Sequence, residues 1–318
     1  MTDSQVLTPA TDISAEVEPL PGQGEILLSR LRFTAAMAVA ATIFWYVGWE
    51  VARPEDPCGP VSLLMVDQGV TAMAQLLGLA IVCSGLAVAI CGAGSADRGP
   101  LAIAVGLAAL GLRGAQLDRL VLYRLNPPIG TDGAVDPFPT TALVAECWLW
   151  LALIAVGFVV GRWVESWFTP RAPSQEQRAA EDHSPDVRRG MGAVIVASLV
   201  AWSVLTFTLG TSADVLDKGQ IYFGVGFSFL AAGLIAHWFF RVSSRIWSLI
   251  VVAVVASAAY LVTGPDSETI RHAGEQGLYL NLAPFARPLP LEYAALGAVG
   301  ALWERDWMHT LRAWFTWD

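Results

Sequence analysis

The sequence predicts an all-α fold: a polytopic α-helical integral membrane protein of about eight transmembrane helices, arranged as two parallel four-helix repeats. Three observations predict it. Apolar stretches of membrane-crossing length recur along the chain. Charged residues make up only 15% of it, against roughly 25% in soluble domains. A polar linker separates the apolar stretches into two sets of four. A helix rises about 1.5 Å per residue, so a hydrocarbon core of about 30 Å needs roughly 20 apolar residues.

An acidic N-terminal tail, residues 1–28, precedes the first stretch and carries Asp3, Asp12, Glu16 and Glu18. It lacks a basic start and an early apolar core, so it is expected to be a cytoplasmic tail and not a cleavable signal peptide. The first repeat, 29–168, holds spans at 33–49, Gly69–Cys91, 101–112 and 141–160. The third is short alone and is expected to run on through Arg113 to about Leu122. Residues 169–190 (TPRAPSQEQRAAEDHSPDVRRG) are polar and proline-bearing, as a cytoplasmic linker would be. The second repeat, 191–318, holds spans at 191–209, 221–240, Ile246–Val262 and 289–303. The last has only about 15 apolar residues and starts among prolines.

Eight spans leave both termini on one side. The Lys and Arg residues divide 12 to 7 between the two sides, which places both termini in the cytoplasm of a cell (inner) membrane. Trp45 and Trp49 then mark the outer end of the first span. Trp163, Trp167, Trp238, Trp247, Trp303 and Trp307 mark inner ends, where an indole keeps its ring apolar and its N–H wet.

The two repeats echo one another in order. Asp67-Gln68-Gly69 pairs with Asp217-Lys218-Gly219, Ser84-Gly85-Leu86 with Ala232-Gly233-Leu234, Glu146 with Glu292, and Trp167-Phe168 with Trp314-Phe315. The offsets are 150, 148, 146 and 147, the near-constant spacing a duplication leaves. An even number of spans per repeat makes the halves parallel, related by a twofold axis along the membrane normal.

Few residues suggest chemistry. Arg113 falls about 12 residues into the third span and Glu146 about five into the fourth. A charge at such depth is costly unless paired or facing water. The two are therefore expected to form an ion pair, with a structural role first and a substrate or ion contact as the alternative. Asp67 and Asp217 each stand one or two residues before a long span. They are candidate outer-face helix caps, with a cation or substrate contact as the alternative. His237 is the one histidine within a span. Bis-histidine haem ligation needs a second one facing it. No cysteine spacing suits zinc, and no nucleophile elbow or phosphate loop occurs. No metal or cofactor site is expected. The net charge of −9 argues against nucleic acid as a partner.

The expected partners are membrane lipids and other integral membrane proteins. The leading functional expectation is a non-catalytic membrane subunit or scaffold. The alternatives are a permease for a neutral or weakly polar solute, with its path between the repeats, and a lipid-modifying enzyme using outer carboxylates.

Overall fold

The computed structural model describes residues 23–54, 59–63, 69–117, 139–168, 187–210, 216–240, 244–264 and 282–315. Among these residues every extended element is a helix, and the one β-bridge joins Pro60 and Ala115. Eight helical stretches follow one another. The first, α1, runs Gln23–Ile43, continues through a π segment at Phe44–Gly48 and ends as Trp49–Ala52. Then come α2 (Gly69–Cys91), α3 (Arg98–Arg113), α4 (Thr140–Phe168), α5 (Val187–Leu209), α6 (Lys218–Phe240), α7 (Ile246–Thr263) and α8 (Pro290–Phe315).

Five of them are long and apolar enough to cross a membrane: α1, α2, α4, α5 and α6. Their outward faces are also apolar. Val70 on α2 is 88% exposed and Phe207 on α5 is 77% exposed. Water does not tolerate large apolar patches of this kind, whereas lipid does. The structure is that of a membrane-embedded helical protein.

Two of the three helices that the membrane criterion leaves out, α3 and α8, are explained by position, while α7 is apolar but shorter. The 16 residues of α3 span about 24 Å, and ten of them are buried. Residues 290–302 of α8 are buried except for Val299. A helix that is apolar all round belongs inside a protein. Neighbouring helices surround α3 and α8, so lipid thickness does not set their length.

Two expectations are corrected. The third helix does not continue to Leu122: it gains length at its other end, starting at Arg98, and stops at Arg113. Gly114 there is extended, with φ −81° and ψ 170°, and breaks the helix. The eighth helix is longer than its apolar core, with 26 residues. Pro290 opens it, as suits a first helical residue with no N–H to satisfy.

Tight turns hold the elements in place. The chain leaves α2 at Gly92 (φ 89°), and Gly94 (φ 77°) completes the reversal into α3. Both lie in the left-handed region that glycine enters without penalty. The hydroxyl of Ser95 donates to the carbonyls of Val88 and Gly92 at the end of α2, and the Gly92 N–H also donates to the Val88 carbonyl at 2.8 Å.

The packing has a regular order. In the first four helices α1 lies on α2 and α3, α4 lies on α2 and α3, and α2 touches α3. In the last four, α5 lies on α6 and α7, and α8 lies on α6 and α7. The two sets join where α4 meets α8 and α7, and where α8 also meets α3.

Candidate functional site

Buried carboxylates are the strongest polar feature within the fold. Glu146 on α4 is 2% exposed and Glu292 on α8 is fully buried. Each needs compensation, because removing a carboxylate from water without hydrogen bonds is expensive.

Glu146 finds that compensation in the chain before α2. The Ser62 hydroxyl donates to its Oε2 at 2.7 Å and the Leu63 N–H to its Oε1 at 2.8 Å. The Trp150 indole N–H, one turn along α4, donates to Oε1 at 3.1 Å. Three donors converge on one carboxylate and fasten residues 59–63 to the helix. The same segment is held again by the Ala115 N–H, which donates to the Gly59 carbonyl at 3.0 Å.

Glu292 stands at the third position of α8. Its Oε2 accepts the Leu289 N–H at 2.9 Å, the backward half of a capping box. Its Oε1 lies 3.6 Å from Nζ of Lys218, the first residue of α6. The Lys218 ammonium also donates to the carbonyls of Gly111 and Gly114. One turn further along α6, the Tyr222 hydroxyl donates to the Ala108 carbonyl at 2.7 Å. The Gly111 and Gly114 carbonyls lie at the end of α3, where the last carbonyls lack helical partners and carry the negative end of the helix dipole, and Ala108 stands one turn back. Thus α6 caps α3 with a cation and a hydroxyl, and Glu292 balances the cation.

Two buried tyrosines flank the carboxylates. Tyr260 of α7 stacks edge-on against Tyr293 of α8, with ring centres 5.8 Å apart. Tyr260 donates to the Pro288 carbonyl at 2.5 Å and Tyr293 to the Phe285 carbonyl at 2.7 Å. Tyr260 is within electrostatic reach of both Glu146 and Glu292. The Arg287 Nε–H donates to the Leu282 carbonyl at 2.9 Å, and Phe285 stacks on Trp202 of α5. Segment 282–289 is thereby pinned into the end of the bundle.

The expected Arg113–Glu146 pair is not what the structure brings together. Arg113 is the last residue of α3 and is not deep in a span. Its Nη1 donates to the Trp45 carbonyl at 2.8 Å, and its guanidinium lies 4.6 Å above the Trp49 ring and 5.8 Å from that of Trp45. Because the helix stops at Gly114, Arg113 reaches the aromatic end of α1. Asp217 is exposed at the N-cap position of α6, where its N–H donates to Gln220 Oε1 at 3.2 Å. Asp67 lies outside the described residues, as do Cys58 and most of the two proline-bearing loops, 123–140 and 264–288.

Sequence reasoning gives no site role to Lys218, Tyr260 and Tyr293, and reads Tyr222 only as a mild polar intrusion in the sixth span. The available signal was Lys218 at the very start of an apolar run, and Tyr293 directly after the glutamate that echoes Glu146.

A second feature lies at the opposite ends of the helices. A recess of about 530 Å³, part of it open to solvent, sits among α5, α6, α7 and α8. His237 Nδ1 and Glu304 Oε1 are 3.9 Å apart within it. Arg245, also on its lining, makes a 2.9 Å ion pair with Asp97 of the first half. No group of three or more metal-ligating side chains occurs among the described residues.

No protein-family model, curated protein or solved structure matches the chain.

Proposed function

We propose that the chain is an eight-span protein of the cell (inner) membrane, built as two parallel four-helix halves with both termini in the cytoplasm. We further propose that it works as a non-catalytic structural subunit or scaffold of a larger membrane assembly. The packing pattern supports the two halves. Exchanging the first four helices with the last four maps the α3–α8 contact onto α7–α4 and maps α4–α8 onto itself. Within the halves, α1–α2, α1–α3, α2–α4 and α3–α4 map onto α5–α6, α5–α7, α6–α8 and α7–α8. Asp97 and Arg245 are the N-cap residues of α3 and α7, equivalent places 148 residues apart, and they meet each other. Equivalent residues touch only on or near a twofold axis.

The observation that carries the subunit reading is what fills the join between the halves. A solute path between the repeats would run along α3, α4, α7 and α8. That region holds fully buried Trp150, Tyr260 and Tyr293, and the buried stretch of α8. The charged groups nearby are also committed: Lys218 to the end of α3 and to Glu292, and Glu146 to Ser62, Leu63 and Trp150. An enzyme acting on lipid headgroups needs a cluster of outer carboxylates open to them; Asp217 is exposed, but Glu146, which would join it, is enclosed. Chemistry that fastens one half to the other suits a scaffold.

Partners have a surface to use. Trp163 and Trp167 on α4 stack edge-on with centres 4.4 Å apart and both stand exposed. Mild detergent extraction, sizing and mass spectrometry of the co-purifying chains test the reading. A stoichiometric complex with other membrane proteins is expected. A lone monomer or homodimer that transports a solute overturns it.

A further inference from the structure

The recess lies among the last four helices, and the residues that hold it open can be named. In the first half α2 lies directly on α3. Gly99, two residues past the N-cap Asp97, permits this: a Cβ there would fall 2.3 Å from Ser84 Oγ and 2.8 Å from the Gly157 carbonyl. Two residues past the N-cap Arg245 stands Trp247. Its indole lies against α5 at Gly190, where a Cβ would come within 2.2 Å of the ring. With a tryptophan in that place α7 cannot close on α6, and these consecutive helices do not pack along their lengths as α2 and α3 do. Facing the gap, α8 carries Glu304 where α4 carries Gly157, 147 residues earlier.

The hollow is two-natured. Ala197, Phe229, Val251 and Ala301 give it apolar walls. Ser244, Arg245, His237 and Glu304 give it polar groups at the ends of α6 and α7. Exposed aromatics stand at the same level: Trp238 and Phe239 beside His237, and Trp303 and Trp307 around Glu304. Such a belt marks headgroup depth in a bilayer.

We propose that this recess binds one zwitterionic phospholipid with a phosphoethanolamine head. One acyl chain lies between α6 and α7 against the apolar walls. The phosphate meets Arg245 and Ser244, and the ammonium meets Glu304. The inference rests on α5–α8 spanning the membrane. The charges select the head. Arg245 and Glu304 face the hollow, Arg245 paired with Asp97 at 2.9 Å and Glu304 lying 3.9 Å from the His237 imidazole. A head of net charge would leave one of them opposed, whereas a zwitterion complements both.

The test uses the full-length protein, delipidated in detergent and titrated with dioleoyl phosphatidylethanolamine. Dioleoyl phosphatidylglycerol is titrated in parallel, and binding is read by native mass spectrometry. One retained phosphatidylethanolamine per chain is expected, with phosphatidylglycerol weaker. Ser248→Trp, which fills the hollow, removes the bound lipid. Glu304→Gln, nearly isosteric and so a safeguard if the larger variant misfolds, weakens phosphatidylethanolamine about tenfold, the loss of one charge-assisted contact, and strengthens phosphatidylglycerol, whose net charge Glu304 opposes. Equal binding of the two lipids, binding that survives Ser248→Trp with native helicity, or indifference to Glu304→Gln overturns the proposal. Recovery of the chain in the soluble fraction after lysis is a separate result, and it overturns the membrane reading instead.

Discussion

Glu146 and Arg113 are both charged, lie close in sequence to apolar runs, and differ in what their neighbours do for them. Three donors from the Ser62 hydroxyl, the Leu63 N–H and the Trp150 indole end on Glu146. Deleting the carboxylate strands these donors away from water, and each stranded donor costs about 1–3 kcal/mol. Glu146→Ala is therefore expected to destabilise the protein by about 3 kcal/mol or more. Arg113 stays partly wet at the end of α3 and rests on two indoles. Its removal should cost only about 0.5–1 kcal/mol, the worth of an exposed cation–π contact. In a double-mutant cycle of Arg113→Ala with Glu146→Gln, followed by unfolding in detergent, the coupling should stay under about 0.5 kcal/mol. A larger coupling would restore the direct pair. The sequence makes both residues conspicuous, since each interrupts an apolar run. It does not reveal their partners, because that depends on α3 ending at Gly114, and an apolar run gives no sign of where inside it a helix stops.

At the scale of elements, small residues decide how closely the helices approach. Gly300 of α8 is the clearest case: a Cβ there would lie 2.2 Å from the Gly226 carbonyl of α6 and 2.9 Å from the Leu230 nitrogen. Both obstacles are backbone and cannot rotate away. Across the crossing, Gly226 has open space where its own Cβ would go. Gly300→Ala is thus expected to push α6 and α8 apart, at a cost of about 2 kcal/mol, in the range of overpacking. Gly226→Ala should be neutral or stabilising by up to about 1 kcal/mol, through helix propensity. Equal loss of thermal stability in the two variants would contradict this crossing. The long lipid-facing helices α2, α4, α5 and α6 are legible in the sequence because their apolar length matches the bilayer. The interior helices α3 and α8 are harder to delimit, because protein surrounds them and no membrane thickness fixes their ends. The glycine pair Gly224 and Gly226 shows the same limit: its spacing suggests close approach, but only the fold tells that Gly226 meets α8 through its carbonyl and Gly224 meets α5 through its Cα side. Gly224 faces the Leu209 side chain.

For the molecule as a whole, contacts among α3, α4, α7 and α8 join the first four helices to the last four, and on the two-half reading proposed above the departures from symmetry are specific. On one side Trp247 holds open a recess that Gly99 closes on the other. At the opposite end Lys218 and Glu292 of the second half cap α3 of the first. The faint echoes at offsets of 146 to 150 are the sequence feature behind the proposed two-half reading. They carry no information on the recess, which comes from what the two halves do not share. All of these proposals assume that the halves lie parallel across one membrane, and substituted-cysteine labelling tests that directly. In a chain freed of its four native cysteines, single cysteines are placed at Glu50→Cys, Asp217→Cys, Ser166→Cys and Ser244→Cys. With parallel halves, a membrane-impermeant maleimide labels the first two in intact cells and the last two only after the membrane is opened. Labelling of Glu50→Cys and Asp217→Cys from opposite sides, or of Ser166→Cys and Glu50→Cys from the same side, would contradict the architecture.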